Sequence, residues 1–470
     1  MKKYYILLAI LISTGCTKEI EDIEDINPII EQGVVVKISP ITITHPYASK
    51  IILGLDIAVN GAVNFVDNTG IEHIILTPSP SRWSLAETIP LPAISFIKNN
   101  DIWSVLQYFN DINMGMGGRD TFEFGIGSYL WADTGPEISD APDPMNHLYI
   151  SKTENKVTTW TQVSKYKSFY HGGSAGDLNY DGLIDIVGIN LTPSENPDGE
   201  RIHTYLQNID GTFTQKNIID VTVGTTSCMY ENNPSANCPS FAGSSILIHD
   251  IDSDGYPEII KGSSIRFDTD IIQNSIEIYT DKDKDGLYSM LEFTPLMSYW
   301  VDRDYSSSQI KPYDYDKDGD EDLFIFFENT RTEGMFGLGI LRNKGNGTFE
   351  DTGVKIDLPQ SAYSAREFEL LDFDYDGDLD IMFNLLADWR DQTDEIMNPN
   401  LNEVNLGNLI WENINGNFQK TSKVIKVNIE NTASIGFLKA VEVLGKVKYI
   451  GVQRLSPYES GKINLLEIIL

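Results

Sequence analysis

The sequence is poor in the residues that most often build zinc sites and nucleotide sites. It contains 3 cysteines and 6 histidines among 470 residues. No zinc-type cysteine cluster, His-Glu-x-x-His motif or phosphate-binding glycine loop occurs in it. These absences argue against a zinc enzyme and against a P-loop nucleotide hydrolase.

Positive charge is also scarce. The chain has 35 Lys and Arg residues against 69 Asp and Glu residues, a formal net charge of −34. Such a surface repels nucleic acid and anionic lipid headgroups, so no nucleic-acid partner is expected. The carboxylates either solvate the surface or hold metal ions, and their positions in the chain decide between the two.

Long apolar runs are absent except at the N-terminus, MKKYYILLAILISTGC. Residues 4–12 are too few to span a bilayer, and they follow two lysines and precede a small-residue stretch ending at Cys16. This segment resembles a bacterial lipoprotein signal, which implies a signal peptide over 1–15 and lipidation of Cys16. An ordinary secretory signal is the alternative.

Residues 16–33 form an acidic stretch that is expected to act as a tether. Its position behind the lipidated cysteine resembles the surface-export signal of Bacteroidota lipoproteins. The resemblance implies an exported protein at the outer membrane or cell surface, which contacts the membrane through its lipid anchor only.

The other two cysteines, Cys228 and Cys238, flank an Asn/Pro/Ser-rich loop. In an exported protein such a pair predicts a disulfide, which would contribute roughly 2–3 kcal/mol. Two free thiols are the alternative.

An acidic motif repeats along the chain. Each copy has Asp at position 1, Asp or Asn at 3, Asp at 5, Gly at 6 and a carboxylate at 9, with apolar strand-like stretches nearby. The four full copies are DLNYDGLID (177–185), DIDSDGYPE (250–258), DYDKDGDED (314–322) and DFDYDGDLD (372–380). DIAVNGAVN (56–64) and DINMGMGGRD (111–120) are interpreted as degenerate copies without metal, and 441–452 as a worn seventh.

In three of the repeat units, a second motif follows the acidic loop after a similar number of residues. LQNIDGTF (206–213), LRNKGNGTF (341–349) and WENINGNF (411–418) each carry Asn, a glycine turn and Phe two residues after the glycine. Turns of this kind between apolar strands indicate β-hairpins. Each unit of about 63 residues therefore predicts strand, acidic loop, strand, then a hairpin, which is a four-stranded propeller blade.

The two motifs together resemble the FG-GAP/VCBS repeats of the integrin α-chain propeller and its bacterial relatives. The resemblance implies an all-β fold, a single β-propeller over 34–470 with seven four-stranded blades. The termini are expected to share one blade, with 34–39 and 463–470 as its closing strands.

The same resemblance implies about four calcium ions held by the acidic loops. Packed carboxylates need a cation, and Ca²⁺ takes oxygen ligands. The implied ligands, with the residue at position 7 contributing its backbone carbonyl, are Asp177, Asn179, Asp181, Leu183 and Asp185; Asp250, Asp252, Asp254, Tyr256 and Glu258; Asp314, Asp316, Asp318, Asp320 and Asp322; and Asp372, Asp374, Asp376, Asp378 and Asp380. Glu258 departs from the usual Asp.

The segment DKDKDGLYSMLE (281–292) matches the full EF-hand loop pattern. Its phase in the repeat places it at a blade hairpin, and strand-like residues precede it where an EF-hand needs a helix. The sequence leaves open whether Asp281, Asp283 and Asp285 hold a fifth ion there, with Glu292 a weaker candidate.

Aromatic residues recur shortly before the acidic loops, at one end of the predicted inner strands. They form either core packing or a ligand platform at the mouth of the central channel. The set consists of Tyr47, Tyr170, Phe241, Tyr305 and Tyr363, with His171 beside Tyr170.

Two function classes remain. The first is a calcium-binding surface module that binds or adheres to an extracellular protein or glycan. The second is a calcium-dependent polysaccharide lyase, for which the sequence has few clustered Lys, Arg or His residues. The first is favoured, and an enzyme is not the main expectation.

Overall fold

The computed structural model describes most of the chain from residue 35 onwards. The described residues are 35–42, 57–80, 92–113, 120–132, 147–165, 167–168, 170–190, 202–219, 245–262, 275–281, 283–295, 305–329, 336–345, 347–358, 367–386, 403–423, 425–428, 435–454 and 462–470. Apart from one 3-10 helix, Leu406–Leu409, their regular elements are strands. Within these segments, no helix has the length and apolar character needed to cross a membrane.

Several of the predictions fall outside the described residues. These are the signal peptide (1–15), the tether (16–33), the lipidation site Cys16, and both partners of the expected disulfide, Cys228 and Cys238.

The fold consists of seven antiparallel sheets with four main strands each, and each sheet is one blade. In blades 1 to 6 the strands pair in chain order, so that the first strand of each blade is innermost. The strands of blades 1 to 3 are β2 (Ile57–Val66), β3 (Glu72–Pro80), β4 (Pro92–Asn99) and β5 (Ile102–Asn113); β6 (Asp120–Gly125), β7 (Ser128–Ala132), β8 (Tyr149–Glu154) and β9 (Val157–Gln162); and β10 (Tyr170–Gly176), β11 (Asp185–Asn190), β12 (Ile202–Gln207) and β13 (Phe213–Gln215).

Blades 4 to 6 repeat this arrangement. Blade 6 carries an insertion between its second and third strands, which includes the 3-10 helix and one strand of a small two-stranded sheet. The strands are β14 (Ile246–His249), β15 (Glu258–Gly262), β16 (Ser275–Thr280) and β17 (Ser289–Pro295); β18 (Tyr305–Tyr313), β19 (Asp322–Asn329), β20 (Phe336–Asn343) and β21 (Phe349–Asp357); and β22 (Phe368–Leu371), β23 (Asp380–Phe383), β26 (Ile410–Ile414) and β27 (Asn417–Lys420), with β25 (Glu403–Asn405) pairing β28 (Lys426–Asn428).

Blade 7 joins the two ends of the chain, as the sequence predicted. It consists of β29 (Ile435–Val443), β30 (Lys446–Arg454), β31 (Lys462–Ile469) and the N-terminal strand β1 (Val35–Thr42), and a two-residue strand β24 (Leu385–Leu386) adds to its inner edge. β1 runs antiparallel to β31 from the Val35–Ile469 pair to the Thr42–Lys462 pair. Since β2 contacts β29, the ring is closed.

Two of the degenerate copies were assigned to the wrong place. Residues 57–64 lie in strand β2, and 111–113 end strand β5. The actual connections after the first strands of blades 1 and 2 are 67–71 and a tight turn at 126–127. These segments lack the complete acidic motif, so their alignment to the repeat was shifted along the sequence. The worn copy at 441–452 was placed correctly, because the turn 444–445 joins β29 to β30.

The core lies between neighbouring blades. Every position of β11 and β23 is buried, because each middle strand is covered on both faces. Phe326 of blade 5 packs against Phe383 of blade 6 with ring centroids 5.7 Å apart. Tyr449 of blade 7 then donates to the carbonyl of Phe383 at 3.3 Å. A ring contact and a hydrogen bond through Phe383 thus connect blades 5, 6 and 7.

A buried ionic network connects blade 7 to blade 1, where the ring closes. Glu467 in β31 accepts from Lys98 at 2.8 Å, from Lys448 at 2.9 Å and from the indole of Trp103 at 3.0 Å. Glu72 in β3 pairs with Lys98 at 3.1 Å and also with Lys448. Burial alone would raise the pKa of Glu467, but the two lysines outweigh it and hold that pKa below its usual value.

Removing Glu467 should therefore destabilise the closed ring. Glu467→Ala leaves Lys98 and Lys448 short of a partner, so the free energy of unfolding should fall by about 3–5 kcal/mol in chemical denaturation. Glu154→Ala, which breaks an exposed pair with Lys152, serves as the control and should change it by no more than about 0.5 kcal/mol. Equal effects of the two substitutions would contradict the closing role of Glu467.

Candidate metal centres

The four acidic loops connect the first and second strands of blades 3 to 6. In an antiparallel blade, the turns after the first and third strands leave from the same end. We call the surface that carries these turns the loop face. Its turns after first strands are 67–71, 126–127, 177–184, 250–257, 314–321, 372–379 and 444–445. The described residues of its turns after third strands are 100–101, 155–156, 208–212, 281 with 283–288, 344–345 with 347–348, and 415–416.

The four loops share one backbone conformation. The fourth residue of each has a positive φ of about 60°: Tyr180 63°, Ser253 59°, Lys317 61° and Tyr375 62°. The glycine at position 6 follows with a larger one: Gly182 84°, Gly255 91°, Gly319 101° and Gly377 93°. A Cβ at these glycines would meet nothing within 4 Å, so the left-handed backbone, rather than crowding, favours glycine there.

The first aspartate closes each loop. Its carboxylate accepts from the backbone N–H of the glycine at position 6, which draws the chain into a ring around the side chain. The bonds are Gly182 to Asp177 at 2.9 Å, Gly255 to Asp250 at 2.9 Å, Gly319 to Asp314 at 3.0 Å and Gly377 to Asp372 at 3.1 Å.

The carboxylate at position 9 joins the loop to the third strand of the blade. Asp380, which is 1% exposed, accepts from Phe373 N–H at the loop start and from Asn413 N–H in β26, both at 2.8 Å. Asp185 and Asp322 make the same two bonds. The longer Glu258 instead accepts from Ile251 N–H and Thr280 Oγ1.

Burial raises the pKa of all four of these carboxyl groups. The pKa is raised to about 6 for Asp185, about 8 for Glu258, about 7 for Asp322 and about 7 for Asp380. Backbone donors oppose the shift, while the neighbouring loop aspartates add to it. Each loop thus concentrates negative charge that protons or a cation must neutralise.

Carboxylate oxygens from three residues come within 4.8 Å of one another in three of the loops. The groups are Asp250, Asp252 and Asp254; Asp314, Asp316 and Asp322; and Asp372, Asp374 and Asp380. Four buried Oδ1 atoms in these groups, from Asp250, Asp316, Asp372 and Asp374, have no hydrogen-bond partner. Converging, unpaired carboxylate oxygens are the donor set that a hard cation such as Ca²⁺ takes. The residues therefore fit the ion that the sequence predicted.

The 177 loop has the same backbone but a different donor set. Asn179 replaces the aspartate at position 3, its Nδ2 donates to Asp181 at 3.0 Å, and its Oδ1 accepts from the N–H of Asp181. The amide Nδ2 thereby occupies an oxygen of the position 5 carboxylate. Counted over positions 1, 3, 5 and 9, this centre has one negative charge fewer than the other three loops.

The DKDKDG segment adopts the same loop conformation. Lys284 and Gly286 have φ of 57° and 82°, and Asp281 accepts from Asp285 N–H at 3.1 Å and Gly286 N–H at 2.7 Å. The segment nevertheless joins β16 to β17, with strands on both sides. The hairpin prediction is therefore confirmed.

Ligation at this hairpin is less favoured than at the other loops. Asp283 and Asp285 are exposed, and Asp281 accepts from the hydroxyl of Tyr180 at 3.3 Å. Glu292 lies within strand β17, where its backbone pairs with Ile278. None of these residues belongs to a converging acidic group within the described segments.

Hairpins of one blade pack on the loops of the preceding blade. Tyr288, beside the blade 4 hairpin, donates to Leu178 O in the blade 3 loop at 3.2 Å. Asn343 of blade 5 donates to Ile251 O in the blade 4 loop at 2.8 Å. Tyr315 in the blade 5 loop lies against Phe418 of blade 6, with centroids 6.2 Å apart. The candidate metal centres therefore lie at junctions between blades.

Blade 1 contains a related loop that the sequence reasoning missed. Asp67 Oδ1 accepts from Thr69 N–H at 2.9 Å and Ile71 N–H at 3.0 Å, and its Oδ2 contacts His73 Nε2 at 3.1 Å and accepts from Lys156 N–H of blade 2 at 3.0 Å. These donors outweigh burial and hold the pKa of Asp67 well below its usual value. Hydrogen-bond donors of the protein stabilise this carboxylate, as a cation would in the acidic loops.

The expected aromatic platform is only partly described. Tyr170 is fully buried, and its hydroxyl contacts Tyr205 at 2.8 Å and His203 at 3.0 Å, which is core packing. His171 is half-buried in β10, and Tyr305 begins β18. Tyr47, Phe241 and Tyr363 lie outside the described residues.

A cavity of about 500 Å³ lies at the axis, lined by the inner strands. Lys311 pairs with Glu369 within it, and Lys439 lies 3.6 Å from Glu369 and 3.4 Å from Glu367. Burial alone would raise the pKa of Glu369, but the two lysines outweigh it and lower that pKa. Both lysines that line the cavity are therefore paired with carboxylates.

Comparison with known proteins identifies one repeat. The family model described as FG-GAP-like repeat matches residues 314–383, which include two acidic loops and the hairpin between them. In the comparison with curated protein sequences, nothing matches.

The similarity to solved structures is distant. A Trypanosoma rangeli sialidase in complex with the inhibitor DANA is similar with a TM-score of 0.36 and 8% identity, over 91% of this chain and 57% of that one. A structure described as a glycoside hydrolase has a TM-score of 0.33 and 11% identity, over 57% of this chain and 82% of that one. The chain thus spans little more than half the length of the sialidase.

The raised pKa values predict how stability depends on pH without metal. In excess chelator, these carboxyl groups keep their protons in the folded chain at pH values where the unfolded chain has released them. The free energy of unfolding therefore falls as pH rises from about 4 to about 8. Glu258→Gln removes the group with the highest of these pKa values and should flatten the slope, whereas the exposed Glu350→Gln should not. Denaturant titrations at each pH measure this, and stability that rose over the same range would contradict it.

Proposed function

We propose that the protein is a calcium-stabilised β-propeller that acts as a binding module. The observation that carries the calcium assignment is the convergence of buried, unpaired carboxylate oxygens in the 250, 314 and 372 loops. Oxygen-only donors suit Ca²⁺, which accepts six to eight of them and tolerates irregular geometry. The 177 loop is proposed as the fourth centre, with Asn179 in place of one carboxylate.

Calcium is proposed to have a structural role. The loops lie against hairpins of the next blade, so an ion that neutralises a loop also fixes the junction. With the ion bound, the residues at positions 1, 3, 5 and 9 would hold it, and the position 9 carboxylates would remain ionised. The position 9 carboxyl groups are buried and bonded within their blades rather than open to a substrate, which favours a structural ion over a catalytic one.

The loop face is proposed as the binding surface. Most of the large apolar side chains that are exposed on the described residues belong to its turns or flank them: Ile102, Ile126, Val157, Ile209, Leu287, Tyr375, Ile414 and Leu444. Ile209 is 97% exposed and Leu444 is 73% exposed. Single exposed apolar residues need no explanation, but a concentration on one face favours a contact surface.

The partner and location are proposed from the N-terminal sequence. A lipid on Cys16 and an acidic tether would hold the propeller at the outer membrane or cell surface, where an extracellular protein or glycan is the partner. A disulfide between Cys228 and Cys238 fits that oxidising location. The alternative, a calcium-dependent polysaccharide lyase, would use the axial cavity, whose lysines are engaged by Glu369 and Glu367.

Calcium binding is measured directly by isothermal titration calorimetry of chelator-treated protein. About four ions should bind, and excess chelator should lower the melting temperature, because each ion binds only the folded state. Asp372→Asn should remove one ion. Asp210→Asn, in a hairpin outside the acidic loops, is the matched control and should leave four. A wild-type protein that binds no calcium and melts identically with chelator would overturn the calcium assignment.

The binding role is tested on an array of glycans and purified extracellular matrix proteins, with and without calcium and with product analysis. Retention without cleavage is expected. Leu444→Asp, on the loop face, should reduce retention at least about tenfold, since a charge at a desolvated contact is costly. Leu106→Asp, on outer strand β5, should not. Cleavage products would favour the lyase, and an absence of retention would contradict the binding role.

A further inference from the structure

Arg342 already occupies part of one candidate metal centre. Its Nη2 atom lies 2.9 Å from Asp316 Oδ2 and 2.9 Å from Asp318 Oδ2. Those two residues are positions 3 and 5 of the blade 5 loop, so both belong to the predicted ligand set. One guanidinium therefore bridges two carboxylates that the ion would need.

The contact leaves the converging oxygens of the loop at positions 1, 3 and 9, as in blade 6. The converging oxygens in blade 5 come from Asp314, Asp316 and Asp322, and Asp318 is not among them. Asp316 uses its Oδ2 for Arg342, while its buried Oδ1 has no partner. The site thus retains unpaired oxygen toward the loop centre but has a protein cation on its outer side.

The other blades have no arginine at this position. Arg342 directly precedes Asn343, whose N–H binds the position 9 carboxylate Asp322. The residues at the corresponding place are Leu206 in blade 3, before Gln207, and Glu412 in blade 6, before Asn413. In blade 4, Lys284 lies 3.8 Å from Asp254, and in blade 6, Lys317 pairs with Asp378 at position 7. Blade 5 therefore differs in that a single cation bridges the carboxylates at positions 3 and 5.

We propose that Arg342 is a tethered cation that competes with Ca²⁺ for Asp316 and Asp318. The inference rests on the proposed calcium binding and adds regulation to it. A positive group a few ångströms from a divalent ion repels it, and Asp318 must leave the guanidinium before it can bind the ion. The blade 5 centre is therefore the weakest of the three carboxylate-rich centres and empties first as calcium falls.

The same contact stabilises the metal-free loop. When calcium is absent, the guanidinium neutralises carboxylates that would otherwise repel one another. The blade 5 loop should then keep its conformation and its junction with Phe418 of blade 6, through Tyr315. Calcium exchange at this centre also releases or recaptures an exposed arginine on the loop face.

The test compares Arg342→Leu, which copies the residue of blade 3, with Lys344→Gln. Lys344 lies on the same hairpin but pairs with Glu350 at 3.2 Å, away from the loop. Calorimetric titration with CaCl₂ should show one site tightened about tenfold or more in Arg342→Leu and none in Lys344→Gln. In excess chelator, Arg342→Leu should melt at a lower temperature than wild type.

Addition of Asp314→Asn assigns the effect to the blade 5 centre. In that background, Arg342→Leu should no longer tighten any site, because the affected centre has lost its first ligand. Calcium affinities that are the same for Arg342→Leu and Lys344→Gln would overturn the proposal while leaving calcium binding intact. A wild-type protein that binds no calcium would instead overturn the proposed function on which it rests.

Discussion

The crowding of carboxylates at the junctions between blades is the constraint on which the structure depends. Four loops carry three to six acidic side chains within nine residues, and the ninth is buried and bonded to the third strand. Like charges at this spacing repel unless protons, hydrogen-bond donors or a cation neutralise them. Since the next blade packs on each loop, the net charge of a loop also affects the stability of the contact between the two blades.

The chain solves this problem in three ways. Asp67 in blade 1 is satisfied by backbone N–H groups and His73, and it needs no ion. Asp316 and Asp318 in blade 5 are partly neutralised by Arg342. In the 250 and 372 loops, buried oxygens remain unpaired. Loops with similar backbones thus differ in how much they need a metal ion, because the neighbouring strands supply different donors to their carboxylates.

The repeat, the seven blades and the shared terminal blade could be predicted because their signals are local and periodic. An Asp-Gly loop followed by a glycine hairpin defines a blade without knowledge of its neighbours. The DKDKDG hairpin could be placed by its phase, although the isolated motif suggested a different fold. In each of three loops, three of the four side chains predicted as ligands converge in space, while the fourth (Glu258, Asp318 or Asp376) is outside the converging group.

Features that depend on contacts between distant strands could not be predicted. Blades 1 and 2 lack a complete acidic motif, so their loops were assigned to residues that lie in strands. Arg342 is 24 residues from Asp318, and nothing in the sequence indicates that its side chain turns toward the loop. The sequence does not decide whether Tyr170 belongs to the core or to a ligand platform, because its burial depends on Tyr205 and His203 in the same sheet. Periodicity identifies the strands, but only packing decides what each side chain meets.

The most direct measurement is a crystal structure of the protein grown with calcium, with the ions located by anomalous scattering. Ions are expected in the 250 and 372 loops, each bound by the carboxylates at positions 1, 3, 5 and 9 with metal–oxygen distances of about 2.3–2.6 Å. Loops that hold no anomalous scatterer at saturating calcium, with protonated or water-bridged carboxylates instead, would contradict this expectation.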